Sequence, residues 1–469
     1  MAAASVLSEG SLIEGFRIGK KLHDGGMSTL WQVTHDDIAV PLLMKIPTLI
    51  DGNDPATIVG FEMEQMILPL LHGVHVPKVF ASGEFGALPF IVMEQIEGQS
   101  LLPKLDASPL PAEEVRAIGS KIAVALDDLH HQHVIHLDIK PSNVMYRPTG
   151  EAVLIDFGLA HHEELPDLLS EELRLPIGTG PYISPEQLRR DRTDPRSDIF
   201  SLGVLLYHLV TRQRPFGYPR NNHALRKRLW RDPLPLRAID PHCPLWLQEI
   251  VLRCLEPDPD QRYPTAAHVA FDLKHPDEVR LTERAERLQK DPFLVAAGRW
   301  YKMVKAEHGQ VQTIARRMSQ APIVMVAIDL DDGTDSLSGT LRDAVQRVLE
   351  SSRGVRLACV SVLKLNRVAL DYALDNQGRS IHVMRLIQLK EWARPLHLGT
   401  GQVTYHVLEA ADPAAVLIDY ASTNHVDQIL IGANARFTQR GRLGGVATNV
   451  VAEAPCTVTV VRSRATDDG

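Results

Sequence analysis

Cysteine is scarce in this chain: there are four in 469 residues, Cys243, Cys254, Cys359 and Cys456, and no two are close in sequence. That spacing excludes a zinc knuckle and argues against a disulfide framework, so free thiols in a reducing compartment are the plain reading. A surplus of positive charge is missing too. With 50 basic against 58 acidic side chains the net charge is −8, and nucleic acid is not expected as a partner, because a phosphate backbone is bound by clustered lysine and arginine. No apolar run approaches the roughly 20 residues that cross a bilayer; the stretch 202–210 is among the longest, so no membrane insertion is expected. Residues 1–10 carry neither a basic start nor an apolar core, so no secretory signal is read there and a cytoplasmic location is expected.

What is present suits folded domains: 44% hydrophobic and 23% charged residues. The length exceeds what one core usually supports, so two or three domains are expected. The first third reads as strands: residues 16–22 and 30–33 flank a Gly-Gly turn as a hairpin, and 42–46 and 90–94 follow, with a helix over 61–71 between them. Beyond Gly98 the pattern turns helical, with a long amphipathic helix over 112–131 and an apolar one over 198–210. Strands first and helices later predict an α+β unit of two lobes. Residues 276–309 shift to charged side chains at helical spacing, a connector. From 322 apolar strands (323–328, 355–362, 403–408, 428–431 and 457–461) alternate with amphipathic helices, which predicts an α/β domain on a parallel sheet.

Phosphoryl transfer asks a protein for a phosphate cradle, cations to spread charge, and a carboxylate beside the attacking hydroxyl. The small residues of His23-Asp-Gly-Gly-Met-Ser28 lie between two strands, where backbone can approach phosphate closely; a hairpin turn is the bland alternative. Lys45 sits in an otherwise apolar strand, where a lone ammonium is costly to bury, and Glu64 on the next helix is a candidate partner. The strongest signal is His136-Leu-Asp-Ile-Lys-Pro-Ser-Asn143 followed by Leu154-Ile-Asp-Phe-Gly158. The first block puts a carboxylate, an ammonium and a carboxamide on one loop, and the second adds a carboxylate after an apolar strand, suited to a divalent cation. The clustered histidines (130, 131, 133, 136 and 161, 162) invite a zinc reading, which is set aside because both clusters lie on the segments around these blocks, which the same pattern already explains.

On these blocks the chain resembles the bacterial members of the eukaryotic-like serine/threonine protein kinases, over about residues 11–275. Further stretches extend the likeness: Gly178-Thr-Gly-Pro-Tyr-Ile-Ser-Pro-Glu186, Asp194-Pro-Arg-Ser-Asp-Ile-Phe-Ser-Leu-Gly203 and Asp258-Pro-Asp-Gln-Arg262. The resemblance implies a bilobal protein kinase fold that uses ATP with Mg²⁺ (or Mn²⁺). It implies that Asp138 orients the substrate hydroxyl and takes its proton, that Lys140 meets the γ-phosphate, and that Asn143 and Asp156 hold the metal. Lys45, steadied by Glu64, would bind the α- and β-phosphates. The cover and walls of the ATP site would be Leu22, Gly25, Gly26, Met27, Ser28 and Leu30, with Met93 at the rear of the adenine pocket and the backbone of Glu94 and Ile96 on the base. Thr179 would contact Asp138 and Lys140, and Glu186 would pair with Arg262. The substrates would be proteins bearing Ser or Thr, the chain itself included.

Three residues depart from that pattern. His23 stands where a loop glycine is usual. Leu43 replaces a common alanine and would press on adenine. Leu137 replaces the arginine that often receives a phosphorylated activation-loop residue, so activity is expected not to depend on such phosphorylation; Ser170 is the expected modified residue in that segment. The alternative reading is a catalytically idle nucleotide-binding signalling scaffold, against which stands the intact set Lys45, Glu64, Asp138, Asn143 and Asp156.

Residues 321–464, beyond a charged helical linker at 276–320, resemble the universal stress protein family through Ile323-Val-Met-Val-Ala-Ile-Asp329, Val426-Asp-Gln-Ile-Leu-Ile-Gly432, Gly444-Gly-Val-Ala-Thr-Asn-Val450 and Ala454-Pro-Cys-Thr-Val-Thr-Val-Val461. Some members bind ATP through a glycine loop after the fourth strand. Here Ala435 and Gly445 depart from that loop's pattern. Dimerisation or docking is therefore preferred over nucleotide binding, and Asp329, Gly432 and Gly444 are the residues a second nucleotide site would use.

Overall fold

A computed structural model describes residues 8–25, 27–48, 55–83, 89–172, 176–219, 221–290, 298–299, 322–330, 335–351, 354–364, 381–399, 402–433 and 445–462. The chain forms two compact units, whose main bodies lie ahead of and behind residue 312.

The first unit opens with a six-stranded sheet: β1 (Leu12–Ile13), β2 (Phe16–Asp24), β3 (Ser28–His35), β4 (Ile38–Pro47), β5 (Val79–Gly83) and β6 (Phe90–Glu94), in the order β1-β2-β3-β4-β6-β5. Alternation along β4 sorts its side chains. Leu42, Met44 and Ile46 are buried, while Leu43 and Lys45, of opposite parity, are only partly covered. Helix α1 (Pro55–Ile67) follows, longer at its start than periodicity predicts. It passes close to the stretch 155–158: a Cβ placed on Gly60 would lie 2.9 Å from the carbonyl oxygen of Gly158.

Past the short α2 (Leu102–Asp106), the helical part is founded on α3 (Ala112–His131), whose buried stripe includes Ile118, Ile122, Ala125, Leu126 and Leu129, and on α6 (Arg196–Thr211), buried from Ser197 to Thr211 and followed by the short α7 (Asn222–Arg226). Two small ribbons lie on this base. β7 (Val134–Ile135) pairs with β10 (His161–His162), and β8 (Val144–Tyr146) pairs with β9 (Ala152–Leu154). The loop 136–143 hangs between β7 and β8, and residues 155–158 leave β9 beside it, so both sequence blocks issue from neighbouring strand ends. Of the charged connector, the described part is short. A turn at Pro276–Glu278 precedes the single helical turn Glu283–Glu286. That turn is fixed to helix α8 (Leu245–Cys254), because Gln248 Nε2 donates to the carbonyls of Arg284, Ala285 and Arg287 at 2.8–2.9 Å.

The second unit is a five-stranded sheet, β11 (Ile323–Ala327), β12 (Arg356–Lys364), β13 (Val403–Ala410), β14 (Gln428–Ala433) and β15 (Thr457–Arg462), all parallel and ordered β13-β12-β11-β14-β15. Helices Pro413–Thr423 and Gly445–Glu453 close one face with Leu417, Tyr420, Ala447 and Val450, against Met325, Val360 and Ile429. Helices Asp335–Ser351 and Ile381–Ala393 pack on the same strands, which covers the buried Val324 and Val326 of opposite parity.

Candidate active site

The loop 136–143 is bolted from beneath by a single carboxylate. Asp198, fully buried near the start of α6, accepts from the backbone N–H of His136 (2.9 Å) and of Leu137 (2.8 Å), and lies 3.0 Å from His130 Nε2. Leu137 holds a left-handed φ of 61°, uncommon for a side chain branched at Cγ, and its carbonyl accepts from Gln187 Nε2 at 2.8 Å. His136 is buried with its ring 5.0 Å from that of Phe157. Its Nδ1 accepts from the Asp138 N–H at 3.3 Å and its Nε2 faces the Ile155 carbonyl at 3.1 Å, which assigns the proton to Nε2.

That scaffold turns the chemistry-bearing side chains to one place. Asp138 Oδ2 accepts from Lys140 Nζ at 2.6 Å and from Asn143 Nδ2 at 3.0 Å, while its Oδ1 accepts from the Thr179 hydroxyl at 2.6 Å. Lys140 also donates to Thr179 Oγ1 at 3.2 Å. The Ile155 N–H donates to the Asn143 carbonyl at 3.0 Å, and this ties the stretch that leads from β9 to Asp156 to the loop that carries Asn143. Asp156 has a left-handed φ of 67°. Two non-glycine residues in that region, both flanking the cleft, store strain that the surrounding hydrogen bonds must hold.

Lys45 bridges the sheet and the helical part. Its Nζ donates to Glu64 Oε2 at 2.5 Å and to Asp156 Oδ1 at 2.9 Å. Burial would lower the ammonium's pKa, but the facing Asp156 and Glu64 carboxylates outweigh it and leave it above the usual lysine range. The Lys45 charge also draws Asp156 down to about 2 against the opposing effect of burial, so that carboxylate is ionised at neutral pH. Glu64 is 2% exposed and its Oε1 receives the Phe157 N–H at 3.4 Å.

Behind this cluster, Met93 and Ile96 are buried, and Leu43 pairs with Met93 across β4 and β6. The Glu94 N–H donates to the Lys78 carbonyl (2.8 Å), and its carboxylate is held by the Arg147 guanidinium. Leu22 and Met27 are exposed, Ser28 and Leu30 partly so, and Gly25 donates from its N–H to the Ser28 carbonyl at 3.1 Å within the β2–β3 hairpin. Gly26 lies outside the described residues, as does Gly444. In the second unit Asp329 is exposed just after β11, and a Cβ on Gly432 would meet the Leu337 side chain at 3.1 Å. Among the described residues no group of histidine, cysteine, aspartate or glutamate has the arrangement of a metal cluster, and the two histidine runs form none.

The carboxylate of Glu186 takes a two-pronged guanidinium contact from Arg262, with Nη2 donating to Oε2 at 3.0 Å; both residues are buried. Arg228 is a residue the sequence reading missed. It is fully buried and donates to the carbonyls of Gly180 (2.9 Å), Ile183 (2.6 Å) and Leu225 (3.2 Å), holding the segment directly after Thr179. Burial pushes its guanidinium down to about 10. In the sequence it stands in Arg226-Lys-Arg228, which reads as a solvated basic run.

Comparison with known proteins bears on this geometry. Residues 16–273 match the protein kinase domain family, and residues 322–462 match the universal stress protein family. The chain is 32% identical over 272 residues to the serine/threonine-protein kinase PknB of Mycobacterium leprae, a stretch covering 56% of this chain and 43% of that protein. It is 30% identical over 268 residues to the serine/threonine-protein kinase PknL of Mycobacterium bovis, covering 57% of this chain and 67% of that one. It thus spans less than half the length of the first of these relatives. A solved structure, the PknI kinase domain of Mycobacterium tuberculosis, aligns with 57% of this chain and 99% of its own at 22% identity and a TM-score of 0.45.

Proposed function

This chain belongs to the protein kinase family, and from that membership we propose that it transfers the γ-phosphoryl group of ATP to serine and threonine hydroxyls of proteins, its own included. The observation that carries the reading is the convergence of Asp138, Lys140 and Asn143 of one loop with Thr179 of a distant segment, and of Lys45 with both Glu64 and Asp156.

In this reading Asp138 orients the incoming hydroxyl. As its oxygen forms a bond to the γ-phosphorus, the bond from phosphorus to the β–γ bridging oxygen breaks, ADP leaves, and the hydroxyl proton passes to the Asp138 carboxylate. Lys140, 2.6 Å from that carboxylate, offsets charge on the transferring group, and Lys45 offers its ammonium to the α- and β-phosphates. The donor set suits a magnesium ion: an amide oxygen on Asn143 and an ionised carboxylate on Asp156 are hard oxygen ligands. When bound, such an ion neutralises phosphate charge and orients the nucleotide. Leu22 and Leu30 cover the base, Met93 closes its rear, and Glu94 and Ile96 offer backbone groups to its edge.

We assign the first unit to residues 11–275 with a linker to 320, and the C-terminal unit to dimerisation or docking. No described helix is long and apolar enough to cross a membrane, and the reduced cysteines fit work in the cytoplasm. The test is incorporation of radiolabel from γ-labelled ATP with Mg²⁺ into a generic basic protein, followed by phosphoamino-acid analysis. Label on serine and threonine is expected; no transfer, with ATP bound, would leave the idle scaffold.

A further inference from the structure

A second charged cluster lies on the segment between Asp156 and Thr179, apart from the reacting groups. Asp167 stands just ahead of the short helix α4 (Leu168–Glu172). Its Oδ2 accepts from Arg192 Nε at 2.7 Å and lies 3.4 Å from His161 Nδ1, while Oδ1 accepts the Ser170 N–H at 3.1 Å. Arg192 comes from the loop between α5 (Pro185–Leu188) and α6, and is 5% exposed. Its Nη2 donates to the carbonyls of Leu159 at 3.0 Å and Ala160 at 3.2 Å. One guanidinium therefore joins the stretch that leaves Phe157-Gly158 to the returning stretch at Asp167. His161 belongs to β10, registered on Ile135 of β7, the strand that runs into the Asp138 loop. The cluster is thus keyed to the same loop as the reacting carboxylate.

The position that would offer a guanidinium to a phosphate on this segment is otherwise occupied. Leu137 is apolar and 2% exposed, and its N–H and carbonyl are bound to Asp198 and Gln187. A buried ion pair is costly to break, since removing one member strands the other charge away from water.

Resting on the kinase reading, we propose that Asp167, Arg192 and His161 form a permanent anchor, an ion pair between Asp167 and Arg192 with the His161 ring beside it, that positions the segment leaving Phe157-Gly158, residues 157–172, for transfer. It does with side chains what a covalent phosphate does where an arginine is present to receive it. All three are positioning residues. None of them donates to or accepts from Asp138, Lys140 or Asn143 among the described contacts, so their effect passes through the segment's backbone.

The experiment uses the full chain, with and without phosphatase treatment verified by mass. Initial rates with Mg²⁺–ATP, thermal unfolding, and hydrogen exchange over residues 157–183 are measured for wild type, Arg192→Met, Arg192→Lys, Asp167→Asn, Asp167→Glu and the double variant Arg192→Met with Asp167→Asn. Wild type is expected to keep its rate within about twofold after phosphatase, as the anchor needs no phosphate. Arg192→Met and Asp167→Asn should each lower kcat by about tenfold or more with faster exchange over 157–172, and the double variant should be no worse than either single one. Asp167→Glu should recover part of the loss. The proposal is overturned if phosphatase cuts the wild-type rate tenfold, or if the variants melt earlier while kcat per folded molecule and exchange stay unchanged. If Arg192→Met does not fold, Arg192→Lys, which keeps the charge but not the fork, is read by the same criteria. Wild type inactive in both states defeats the kinase reading instead. Exchange then decides the anchor alone: protection lost in the variants supports it, and protection retained overturns it.

Discussion

Each unit contains an aspartate at the end of an apolar strand, and the two have different surroundings. Asp156 follows β9 in a left-handed conformation with Lys45 at 2.9 Å, and its ionisation is drawn down to about 2. Asp329 follows β11 and is exposed. Glycines repeat the contrast. Gly60 faces the backbone of Gly158 so closely that it has no room for a side chain without movement, whereas Gly432 is tight only against the side chain of Leu337. An acidic residue and a glycine after a strand are common to many α/β and α+β folds. Chemistry needs in addition an opposing cation, a second element locked at close range and a strained backbone held by buried hydrogen bonds, and the first unit has all of these.

The sharpest break of that comparison is Asp138→Asn. The amide keeps the shape and can still contact Lys140 poorly, but it cannot take a proton, so transfer should fall by about 10²–10⁴-fold with thermal stability nearly unchanged. Radiolabel incorporation and melting measured on the same preparation check it. Asp329→Asn should leave transfer within about twofold, because Asp329 belongs to the second unit and Lys45, Asp138 and Asp156 to the first. Next in size is Lys45→Met. It removes the cation shared by Glu64 and Asp156, so kcat/KM should fall by about 10²-fold or more. Unlike the first variant it should also melt earlier, since Glu64 is left buried without its partner.

Much of this was legible in the sequence because its signals are local. The residues of loop 136–143 bond to one another and to nearby strands, so their types and spacing carry the arrangement. The central strands β11 and β14 of the second unit are buried on both faces along most of their length and read as apolar runs. What was not legible depends on distant partners. Arg228 and Arg192 look like surface arginines until the fold brings backbone carbonyls or Asp167 to them. Helix Ile381–Ala393 escaped notice because its buried side includes His382 and Arg385, which blur the apolar period. The Gly60–Gly158 contact joins residues far apart in sequence, and a glycine just ahead of the predicted helix gives no hint of what it faces.

That contact supplies the smaller pair of predictions. A methyl at Gly60 would lie 2.9 Å from the Gly158 carbonyl oxygen, a backbone atom that cannot rotate away, so α1 must shift and carry Glu64 with it. Gly60→Ala should therefore cost about 1–3 kcal/mol in denaturant unfolding and lower kcat/KM for ATP by about tenfold through a displaced Lys45–Glu64 pair. Gly432→Ala meets a leucine side chain instead, which can change rotamer, so its cost should be about 1 kcal/mol or less and confined to the unfolding of the second unit. The two substitutions add the same methyl group and differ only in what it strikes. Equal losses of activity from both would mean that Gly432 bears on the phosphotransfer site, and the contrast between the two aspartate-bearing strand ends would then have to be given up.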